Sequence, residues 1–274
     1  MNTSPKISAI ILNYKTPHET LACVDALLAQ TISEEIEIII VDNDSRDSSV
    51  EILRSLLGKE KPIKLMQTEK NIGFSGGNNL GVKTASGDYI LIVNPDTTLE
   101  KDSLEKMFNF LNSRDDIAIV GPQLVFPSGT IRDSYRTFPT ILDIIIKRTP
   151  LSIFFPKRMR DYLQWDKSPY ETREVDWLVG ACMFIKKDFF EKIGGFDERF
   201  FLFFDDTDLC KRCRLNGKKV VYFPEAKGHD SQNRLSSGGM LSFLWKKTVR
   251  IHIISAIKYF WKWRKILARK ASLQ

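Results

Sequence analysis

Residues 36–44, IEIIIVDND, are an apolar run that ends abruptly in polar side chains. The run predicts a strand over Ile36–Val41 that is buried on both faces, with Glu37 as its one charged interruption. Similar apolar runs at 7–12, 63–67 and 89–93 alternate with helical patterns. The first 120 residues therefore predict an α/β fold built on a doubly wound, mostly parallel sheet of the nucleotide-binding type.

Further elements follow the same rhythm along the chain. Helices are predicted at 17–30, at 48–57, at 78–84 after a glycine-rich turn, in a segment that ends near Leu111, at 188–193 and at 206–214. Additional strands are predicted at 117–125, 180–186 and 220–223. The aromatic and proline-rich segment 138–169 is predicted as a loop or as short helices. We expect the later strands to extend the first sheet, so that residues 1–240 form one domain with halves 1–120 and 121–240.

The net charge of +7 is concentrated at the C-terminus. Residues 241–274 hold nine Lys or Arg and no acidic residue, which leaves 32 basic against 34 acidic groups in the preceding 240 residues. A nucleic-acid-binding module would spread its basic residues over one face of the folded body. The nearly neutral body therefore argues against a nucleic-acid partner.

The four cysteines, Cys23, Cys182, Cys210 and Cys213, are too few for a disulfide framework in a chain of 274 residues. We expect them to be reduced, structural thiols. The short polar N-terminus predicts no signal peptide, and no apolar run approaches the roughly 18 residues that a membrane span needs. The expected compartment is the cytoplasm.

The predicted parallel strands end in polar residues that would meet at one edge of the sheet. These ends are Asn13-Tyr14, Asp42-Asn43-Asp44, Glu69-Lys70-Asn71 and Asn94-Pro95-Asp96. Carboxylates gathered at one rim repel each other unless a cation or a hydrogen-bonding ligand lies between them. The pattern therefore favours a metal-bound nucleotide.

The segment 71–79, NIGFSGGNN, lies between the third and fourth strands. Its glycines permit positive φ and close backbone approach to a ligand. The segment lacks the spacing of a phosphate loop, and no dinucleotide fingerprint follows the first strand, which argues against a nicotinamide enzyme. Both this segment and Asn94-Pro95-Asp96 are also typical of ordinary turns before helices.

Taken together, these segments resemble glycosyltransferase family 2, and within it the rhamnosyltransferase-like branch. The resemblance rests on 13–14, 41–43, 71–79, 94–96, 175–181, 194–198 and 200–210, and covers roughly residues 7–237. It implies a GT-A type fold with a C-terminal acceptor-side extension. It also implies transfer of a sugar from a nucleotide-diphosphate donor to an acceptor hydroxyl, with inversion at the anomeric carbon.

The resemblance also assigns roles to individual residues. Nucleotide-binding residues would be Asn13, Tyr14, Asp42, Asn71, Gly76, Asn78, Asn94 and Asp96. Sugar or acceptor contacts would be Trp177, Gly180 and Asp208. Asp96 and His229 would hold Mn²⁺ or Mg²⁺. Asp206 would be the general base, with Asp205 in place of the expected Glu and as the alternative base. The helix dipole offers another explanation for one or two of these acids, because negative charge is favoured at a helix N-terminus.

Residues 241–274 predict a basic amphipathic tail. Its apolar side would carry Ile257, Phe260, Trp261, Trp263 and Leu267, and its basic side Lys258, Lys262, Lys265 and Arg269. Such a helix is typical of one lying on an anionic membrane surface, and a helix packed on the domain is the alternative. His18 and His252 are expected to be surface residues.

The most specific expectation is an inverting transferase of bacterial surface polysaccharide biosynthesis that uses dTDP-rhamnose. Its acceptor would be a saccharide or a lipid-linked saccharide, reached from the inner face of the membrane. Galactofuranose, glucose and N-acetylhexosamine donors remain open. A nucleotidyltransferase is the alternative enzyme class, although the residues after the first strand, Asn13-Tyr14-Lys15-Thr16, lack its glycine-rich loop.

Overall fold

The computed structural model describes residues 6–56, 63–231 and 246–271, with side chains as far as Arg264 in the last range. Nine strands of the described residues form one mixed sheet, and two more form a small separate ladder. The strands are β1 (Ile7–Asn13), β2 (Ile36–Asp42), β3 (Ile63–Gln67), β4 (Tyr89–Val93), β5 (Thr97–Leu99), β6 (Ile117–Val125), β7 (Tyr135–Arg136), β8 (Arg173–Val175), β9 (Trp177–Leu178), β10 (Cys182–Lys186) and β11 (Lys219–Asp230).

The large sheet has the order β3-β2-β1-β4-β10-β6-β11-β5, with β8 beside β11, and β7 pairs with β9. The first four strands are parallel, whereas β10 runs antiparallel to both β4 and β6. The order reverses between β1 and β4, so a crevice opens at the carboxyl ends of these strands. The predicted parallel-rich, doubly wound sheet is confirmed, and the second half of the chain extends it as expected.

Helices cover both faces of this sheet. They are α1 (Pro17–Leu28), α2 (Ser49–Arg54), α3 (Gly73–Lys83), α4 (Ser103–Asn112), α5 (Ile141–Lys147), α6 (Pro156–Leu163), α7 (Lys187–Lys192), α8 (Asp205–Leu215) and α9 (Lys247–Ala271). Along β1, Ile7, Ala9 and Ile11 pack into one buried cluster, while Ile10 packs into a second cluster with Ile39 of β2. Successive side chains of a strand point to opposite faces, so two covered faces explain the uninterrupted apolar runs.

Glu37, the charged interruption in β2, is buried and fully bonded. Its carboxylate accepts hydrogen bonds from Ser8 Oγ at 2.6 Å, Ser86 Oγ at 2.7 Å and Lys64 Nζ at 2.8 Å. Burial alone would raise the pKa of Glu37, but the hydrogen bonds from Lys64, Ser8 and Ser86 lower it to about 2. The side chain therefore stays ionised inside the sheet without an unpaired charge.

Two predicted boundaries are wrong for reasons of tertiary packing. The helix predicted from Asn78 begins at Gly73, because the glycine-rich segment is itself helical. The last strand, predicted at 220–223, continues to Asp230. Pro224 has no N–H to donate to a neighbouring strand. β11 nevertheless continues past Pro224 through an irregularity in register, and it resumes pairing with β6 at Lys227. The helix predicted at 48–57 ends earlier, at Arg54, with Ser55 as its C-cap. The domain boundary predicted at 240 lies outside the described residues.

The C-terminal helix α9 packs on the domain. Tyr259 and Trp263 are buried against Phe200 and Phe204, the aromatic residues that precede α8. Lys262, predicted on the outward basic side, is only 10% exposed and forms ion pairs with the domain. The predicted polarity of the helix is therefore wrong at this position, because the domain presents carboxylates to it.

Two further side chains of α9 remain outside the contact with the domain. Ile257 and Trp261 are 64% and 58% exposed, whereas Leu267, Lys265 and Arg269 belong to the range whose side chains are not described. His252 is not a surface residue as expected, since its ring lies against Phe203 and Phe204. None of the helices in the described ranges combines the length and apolarity that a bilayer crossing needs.

Candidate active site

A buried hydrogen-bond network joins the ends of β1 and β2. Asn13 Nδ2 donates to Asp42 Oδ2 at 2.7 Å, and Ser45 donates to the same carboxylate through its hydroxyl at 2.6 Å and its N–H at 3.1 Å. Asn13 and Asp42 are fully buried, whereas Tyr14 is 45% exposed at the rim. Tyr14 is thus the accessible side chain at this strand end, whereas the carboxylate of Asp42 is bonded to Asn13 and Ser45.

Asn43 joins this edge to the glycine-rich segment, a role that was not predicted. Its Nδ2 donates to Asn71 Oδ1 at 3.1 Å and to Gly73 O at 3.2 Å, while its Oδ1 accepts from Ile72 N at 2.9 Å. In the sequence, the feature that could have identified Asn43 as a site residue was its position directly after Asp42, at the same strand end. Asn43 therefore fixes the start of α3 relative to the crevice.

The start of α3 in turn holds the loop that precedes the acidic residues. Gly73 has a φ of +77°, and a Cβ at this position would lie 2.3 Å from Phe201 O. Phe74 N donates to the same carbonyl at 2.7 Å, and Ser75 Oγ donates to Phe200 O at 2.7 Å. Glycine is required at residue 73 because the two backbones approach so closely.

Gly76 and Asn78, predicted to bind the nucleotide, lie inside α3 and are buried. A Cβ on Gly76 would lie 3.2 Å from the Ile72 side chain, one turn earlier. Asn78 Nδ2 donates to Phe74 O at 2.9 Å, while its Oδ1 is buried without a hydrogen-bond partner. Both residues are buried in this structure, and their predicted contact with a nucleotide stays a prediction. Asn71, at the partly buried start of the segment, remains a candidate.

Asn94-Pro95-Asp96 follows β4 and lies at the rim. Asn94 N donates to Ala181 O at 2.8 Å, which joins it to the residues before β10. Asp96 is partly buried, and its Oδ2 accepts a hydrogen bond from Ser231 Oγ at 2.5 Å. Among the described residues, no Lys or Arg is paired with Asp96. Its carboxylate therefore has capacity for a cation.

His229 lies within β11, not after it as predicted. It pairs with Thr98 of β5, the strand that directly follows Asp96. Its side chain is 59% exposed, and its Nε2 is 3.8 Å from Glu100 Oε1. The next residue, Asp230, points to the opposite, buried side and pairs with Arg132. An accessible imidazole near Asp96 suits a second metal ligand, although in the described parts of the chain no three such ligands converge.

Asp205 and Asp206 begin α8 but have different surroundings. Asp206 Oδ2 accepts from Gly180 N at 3.0 Å, and Oδ1 accepts from the N–H and hydroxyl of Thr207 at 2.6 and 3.1 Å. Asp205 is buried, and its Oδ1 accepts from Asp206 N at 2.9 Å. In the described ranges its Oδ2 has no hydrogen-bond partner. Thr207 was not predicted as a site residue, and its only signal was adjacency to the acids.

The pKa values of the two carboxyl groups are raised to different extents. Burial, together with the charge of Asp206, raises the pKa of Asp205 well above its usual value. Burial also raises the pKa of Asp206, although hydrogen bonds from Gly180 and Thr207 oppose that shift. Hydrogen bonds to a carboxylate favour its charged form. The pKa of Asp205 is therefore raised further than that of Asp206, so Asp205 is the more readily protonated of the two.

The backbone that aims these acids is strained. Phe203 and Phe204 adopt φ values of 70° and 65°, the left-handed region that bulky residues rarely occupy. Such residues persist only where the surrounding structure holds them, at a cost of about 1–3 kcal/mol each. Here the hydrogen bonds from the start of α3 and the packing of α9 hold the loop in place. α8 therefore begins at Asp205, with its acidic residues next to Gly180.

The two acidic motifs meet at one rim of the sheet. Asn94 is hydrogen-bonded to Ala181, and the preceding residue, Gly180, donates to Asp206. Asp96 lies two residues beyond Asn94, so residues more than 100 positions apart in the chain border one crevice. Gly180 orients Asp206 through its N–H.

Asp208, predicted to contact sugar or acceptor, faces away from this rim. It is completely buried, and its Oδ2 is 2.8 Å from Arg212 Nε. Its Oδ1 is 2.6 Å from Lys262 Nζ and accepts from Trp263 Nε1 at 3.0 Å. Two of these contacts, with Lys262 and Trp263, attach α9, and the third, with Arg212, lies within α8. The prediction for Asp208 is therefore wrong.

Trp177 is also internal. Its ring is buried, its Nε1 donates to Thr137 O at 2.8 Å, and the Arg136 guanidinium lies 5.2 Å from the ring centre. This residue supports the segment around Arg136 and does not line the crevice with its own surface.

The predicted thiol state is confirmed, since all four cysteines are free and buried.

Comparison with known proteins places this geometry in a family. Residues 8–194 match glycosyl transferase family 2. The N-acetylglucosaminyl-diphospho-decaprenol L-rhamnosyltransferase of Mycobacterium tuberculosis is 26% identical over 215 residues, which cover 74% of this chain and 68% of the relative. The rhamnosyltransferase WbbL of Escherichia coli is 28% identical over 214 residues, covering 73% and 72%.

Solved structures agree with the fold. TarS of S. aureus in complex with UDP has a TM-score of 0.60 at 16% identity, covering 82% of this chain and 60% of that one. GalNAc-T7 with UDP, GalNAc and Mn²⁺ has a TM-score of 0.63 at 13% identity, covering 90% and 49%. Because the family match spans more than half of the residues and the fold agrees, the chain belongs to glycosyl transferase family 2 and has the GT-A fold.

Proposed function

We propose that the chain transfers a sugar from a nucleotide-diphosphate donor to an acceptor hydroxyl, inverting the configuration of the anomeric carbon. The observation that carries this proposal is the position of Asp206. Its carboxylate is oriented by Gly180 at the rim that also holds Asn94 and Asp96. A proton acceptor and a diphosphate-binding motif at one crevice are what a direct displacement requires.

In this reaction the acceptor oxygen attacks the anomeric carbon while the bond from that carbon to the diphosphate oxygen breaks. The acceptor hydroxyl loses its proton to Asp206, a contribution typically worth about 10²–10⁴-fold in rate. Asp206 Oδ2 accepts one hydrogen bond from the chain, from Gly180, and keeps a lone pair for this proton. Asp205 is buried and its pKa is raised further than that of Asp206, which supports Asp206 as the proposed base and leaves Asp205 as the alternative.

The donor nucleotide would lie along the ends of β1, β2 and β4. The exposed ring of Tyr14 would stack on the base, and the edge fixed by Asn13 and Asp42 would border it. Asn71 and Asn94 would border the ribose and diphosphate. These assignments rest on the position of each residue at the crevice, where ligands of open α/β sheets bind.

A divalent cation, Mn²⁺ or Mg²⁺, would neutralise the charge that develops on the leaving diphosphate. Asp96 would hold it, with His229 as the second protein ligand. Carboxylate and imidazole groups suit these ions, and phosphate oxygens and water would complete the coordination. The Mn²⁺ in the GalNAc-T7 structure supports this proposal by similarity of fold.

The proposed donor is dTDP-rhamnose, supported by two relatives that are named rhamnosyltransferases. The proposed acceptor is a saccharide or lipid-linked saccharide of a surface polysaccharide, and the name of the mycobacterial relative supports a diphosphate-linked lipid. An anionic membrane surface is the proposed place of work. The exposed Ile257 and Trp261 of α9 support it.

The test of the catalytic assignment uses two isosteric variants at neighbouring positions. Asp206→Asn should lower the transfer rate with dTDP-rhamnose and a lipid-linked acceptor by about 10²–10⁴-fold, while dTDP binding with Mn²⁺ stays unchanged. Asp205→Asn should keep the rate within about tenfold, because Asp205 is buried and its carboxyl has a more strongly raised pKa than Asp206. If Asp205→Asn abolishes transfer and Asp206→Asn does not, Asp206 is not the base.

A further inference from the structure

A group of basic side chains beside the start of α8 has polar atoms without partners. Arg136 Nε in β7, Arg148 Nη1 after α5 and His252 Nδ1 in α9 are buried and have no hydrogen-bond partner in the described part of the chain. Buried polar atoms are nearly always bonded in folded proteins. Three unbonded nitrogens in one group therefore indicate a missing ligand.

Two basic side chains, Arg136 and Lys147, lie next to Tyr162. The Arg136 guanidinium lies over the Trp177 ring and hydrogen-bonds to Tyr162, whose ring is buried. Lys147 Nζ lies 5.7 Å from the Tyr162 ring centre on another side. Burial raises the pKa of Tyr162, so its hydroxyl is neutral and supplies no negative charge. Burial also lowers the pKa of Arg148.

His252 lies on the side of the group that faces the acids. Its ring is 5.1 Å from that of Phe203 and 5.2 Å from that of Phe204, the residue directly before Asp205. Burial, and then the charges of Arg148 and the other nearby cations, lower the pKa of His252 to about 3. The imidazole is therefore neutral. Among the described residues no carboxylate forms an ion pair with Arg136 or Arg148, although Asp206 is near enough to Arg136 to interact with it.

The group is also electrostatically connected to the proposed base. The positive charge of Arg136 favours the charged form of Asp206, although burial outweighs it in the net shift of the pKa. Cations that are buried together repel each other and are stabilised by a shared anion. Arginine is the side chain best suited to hold several phosphate oxygens, because its planar fork donates in parallel.

The surface next to the group is apolar. Several large side chains of α5 and of the single turn Pro150–Ile153 that follows it, with its flanking residues, are exposed: Ile141, Leu142, Ile145, Leu151, Ile153, Phe154 and Phe155. Arg148 lies between these two elements. An anion bound to Arg148 would thus have an exposed apolar strip beside it, which suits a phosphate that carries a hydrocarbon chain.

We propose that Arg136 and Arg148 bind the diphosphate of a lipid-linked acceptor and so present the acceptor sugar to Asp206. The inference rests on the proposed function, and it names a binding site for the acceptor that is separate from Asp96. The lipid chain would leave along the exposed strip of α5 towards the membrane. His252 would donate a further hydrogen bond from Nδ1 to the same diphosphate.

Binding of farnesyl diphosphate to the full chain tests this site without requiring catalysis. Isothermal titration calorimetry in the absence of donor should show that Arg136→Gln and Arg148→Gln each raise the Kd at least tenfold. Arg160→Gln, an exposed arginine on α6, is the matched control for loss of one charge and should change the Kd less than twofold. Farnesol, which lacks the diphosphate, should not distinguish the variants from the wild type.

Three further results bear on the outcome. An equal loss in Arg160→Gln would show only general charge attraction and would overturn the site. Loss of dTDP binding with Mn²⁺ in the Arg136 or Arg148 variants, with farnesyl diphosphate binding intact, would assign these residues to the donor instead. If Arg136→Gln does not fold by circular dichroism, Arg136→Lys, which keeps the charge but loses the fork, should still raise the Kd. Normal dTDP binding in all variants keeps this test independent of the proposed function.

Discussion

The attachment of α9 to the catalytic domain makes a sharp prediction at Lys262. Its Nζ lies 2.6 Å from Asp208 Oδ1 and 2.8 Å from Asp197 Oδ2, and its side chain is 10% exposed. Lys262→Met keeps most of the apolar stem and removes the charge. Asp208, completely buried, would retain only Arg212 and Trp263 as partners.

The magnitude follows from the burial of each partner. Asp208 would lose one charge-assisted hydrogen bond in a fully buried place, worth about 1.5–3 kcal/mol. Asp197 keeps Arg199 and is closer to solvent, so its loss adds about 1 kcal/mol at most. The expected total is about 3 kcal/mol, near the lower end for breaking a buried pair. For a chain of this size that corresponds to a fall in Tm of roughly 6–12 °C.

Urea and thermal unfolding followed by circular dichroism measure this change. Lys258→Met is the matched control on the same helix, because Lys258 is exposed and its Nζ donates only to the backbone oxygen of Arg199 at 2.8 Å. Its effect should stay within about 0.5 kcal/mol. A Lys262→Met variant within 1 kcal/mol of the wild type, or a Lys258→Met variant that costs as much, would refute the reasoning.

The difference in stability between the wild type and Lys262→Met should depend on pH. Burial opposes ionisation of Asp197, but hydrogen bonds from Arg199 and Lys262 outweigh it and lower its pKa. A carboxyl with a lowered pKa in the folded state stabilises the protein above its unfolded pKa of about 3.9, and that contribution is lost as the pH falls towards the folded value. The stability difference between wild type and Lys262→Met should therefore be full near pH 7 and shrink below about pH 4.

Two other predictions test the metal site and the membrane surface. Asp96→Ala should abolish the Mn²⁺-dependent part of dTDP binding in calorimetry, and an affinity that responds to Mn²⁺ as in the wild type would exclude Asp96 as a ligand. Replacing both Ile257 and Trp261 by Ser should release the protein from anionic liposomes in a co-sedimentation assay without lowering Tm, because both side chains are exposed. Binding that persists would exclude this face of α9. Deletion of residues 241–274 is unsuitable here, since it would remove the buried Trp263.

Several strand boundaries were predictable from the local sequence. The predicted limits of β3, β4 and β6, Ile63–Gln67, Tyr89–Val93 and Ile117–Val125, agree with the structure. In β4, where every residue after Tyr89 is buried, the apolar run ends at the polar residues of the rim, whereas β3 lies at the edge of the sheet and has no fully buried residue. The residues at these strand ends could therefore be predicted to share one edge.

Other features depend on partners that are distant in the chain. Gly73 begins α3 because its backbone meets Phe201 O, and the glycine-rich segment alone indicated a turn. Lys262 is buried because it forms ion pairs with Asp208 and Asp197, which lie 54 and 65 positions earlier in the chain. A helical wheel assigns a lysine to the solvent side unless the opposing surface is known. These partners appear only when the chain is folded.

The acidic run before Leu209 shows where a local rule would have improved the prediction. Residues of an α-helix advance by about 100° each, so Asp206 and Asp208 point roughly 200° apart and cannot serve the same crevice. In the structure Asp206 bonds to Gly180 at the rim, and Asp208 bonds to Lys262 on the opposite side. One turn of α8 thus carries the proposed base on one face and the anchor of α9 on the other. Loosening α9 should consequently disturb the orientation of Asp206, which links the attachment of the C-terminal helix at Lys262 to catalysis.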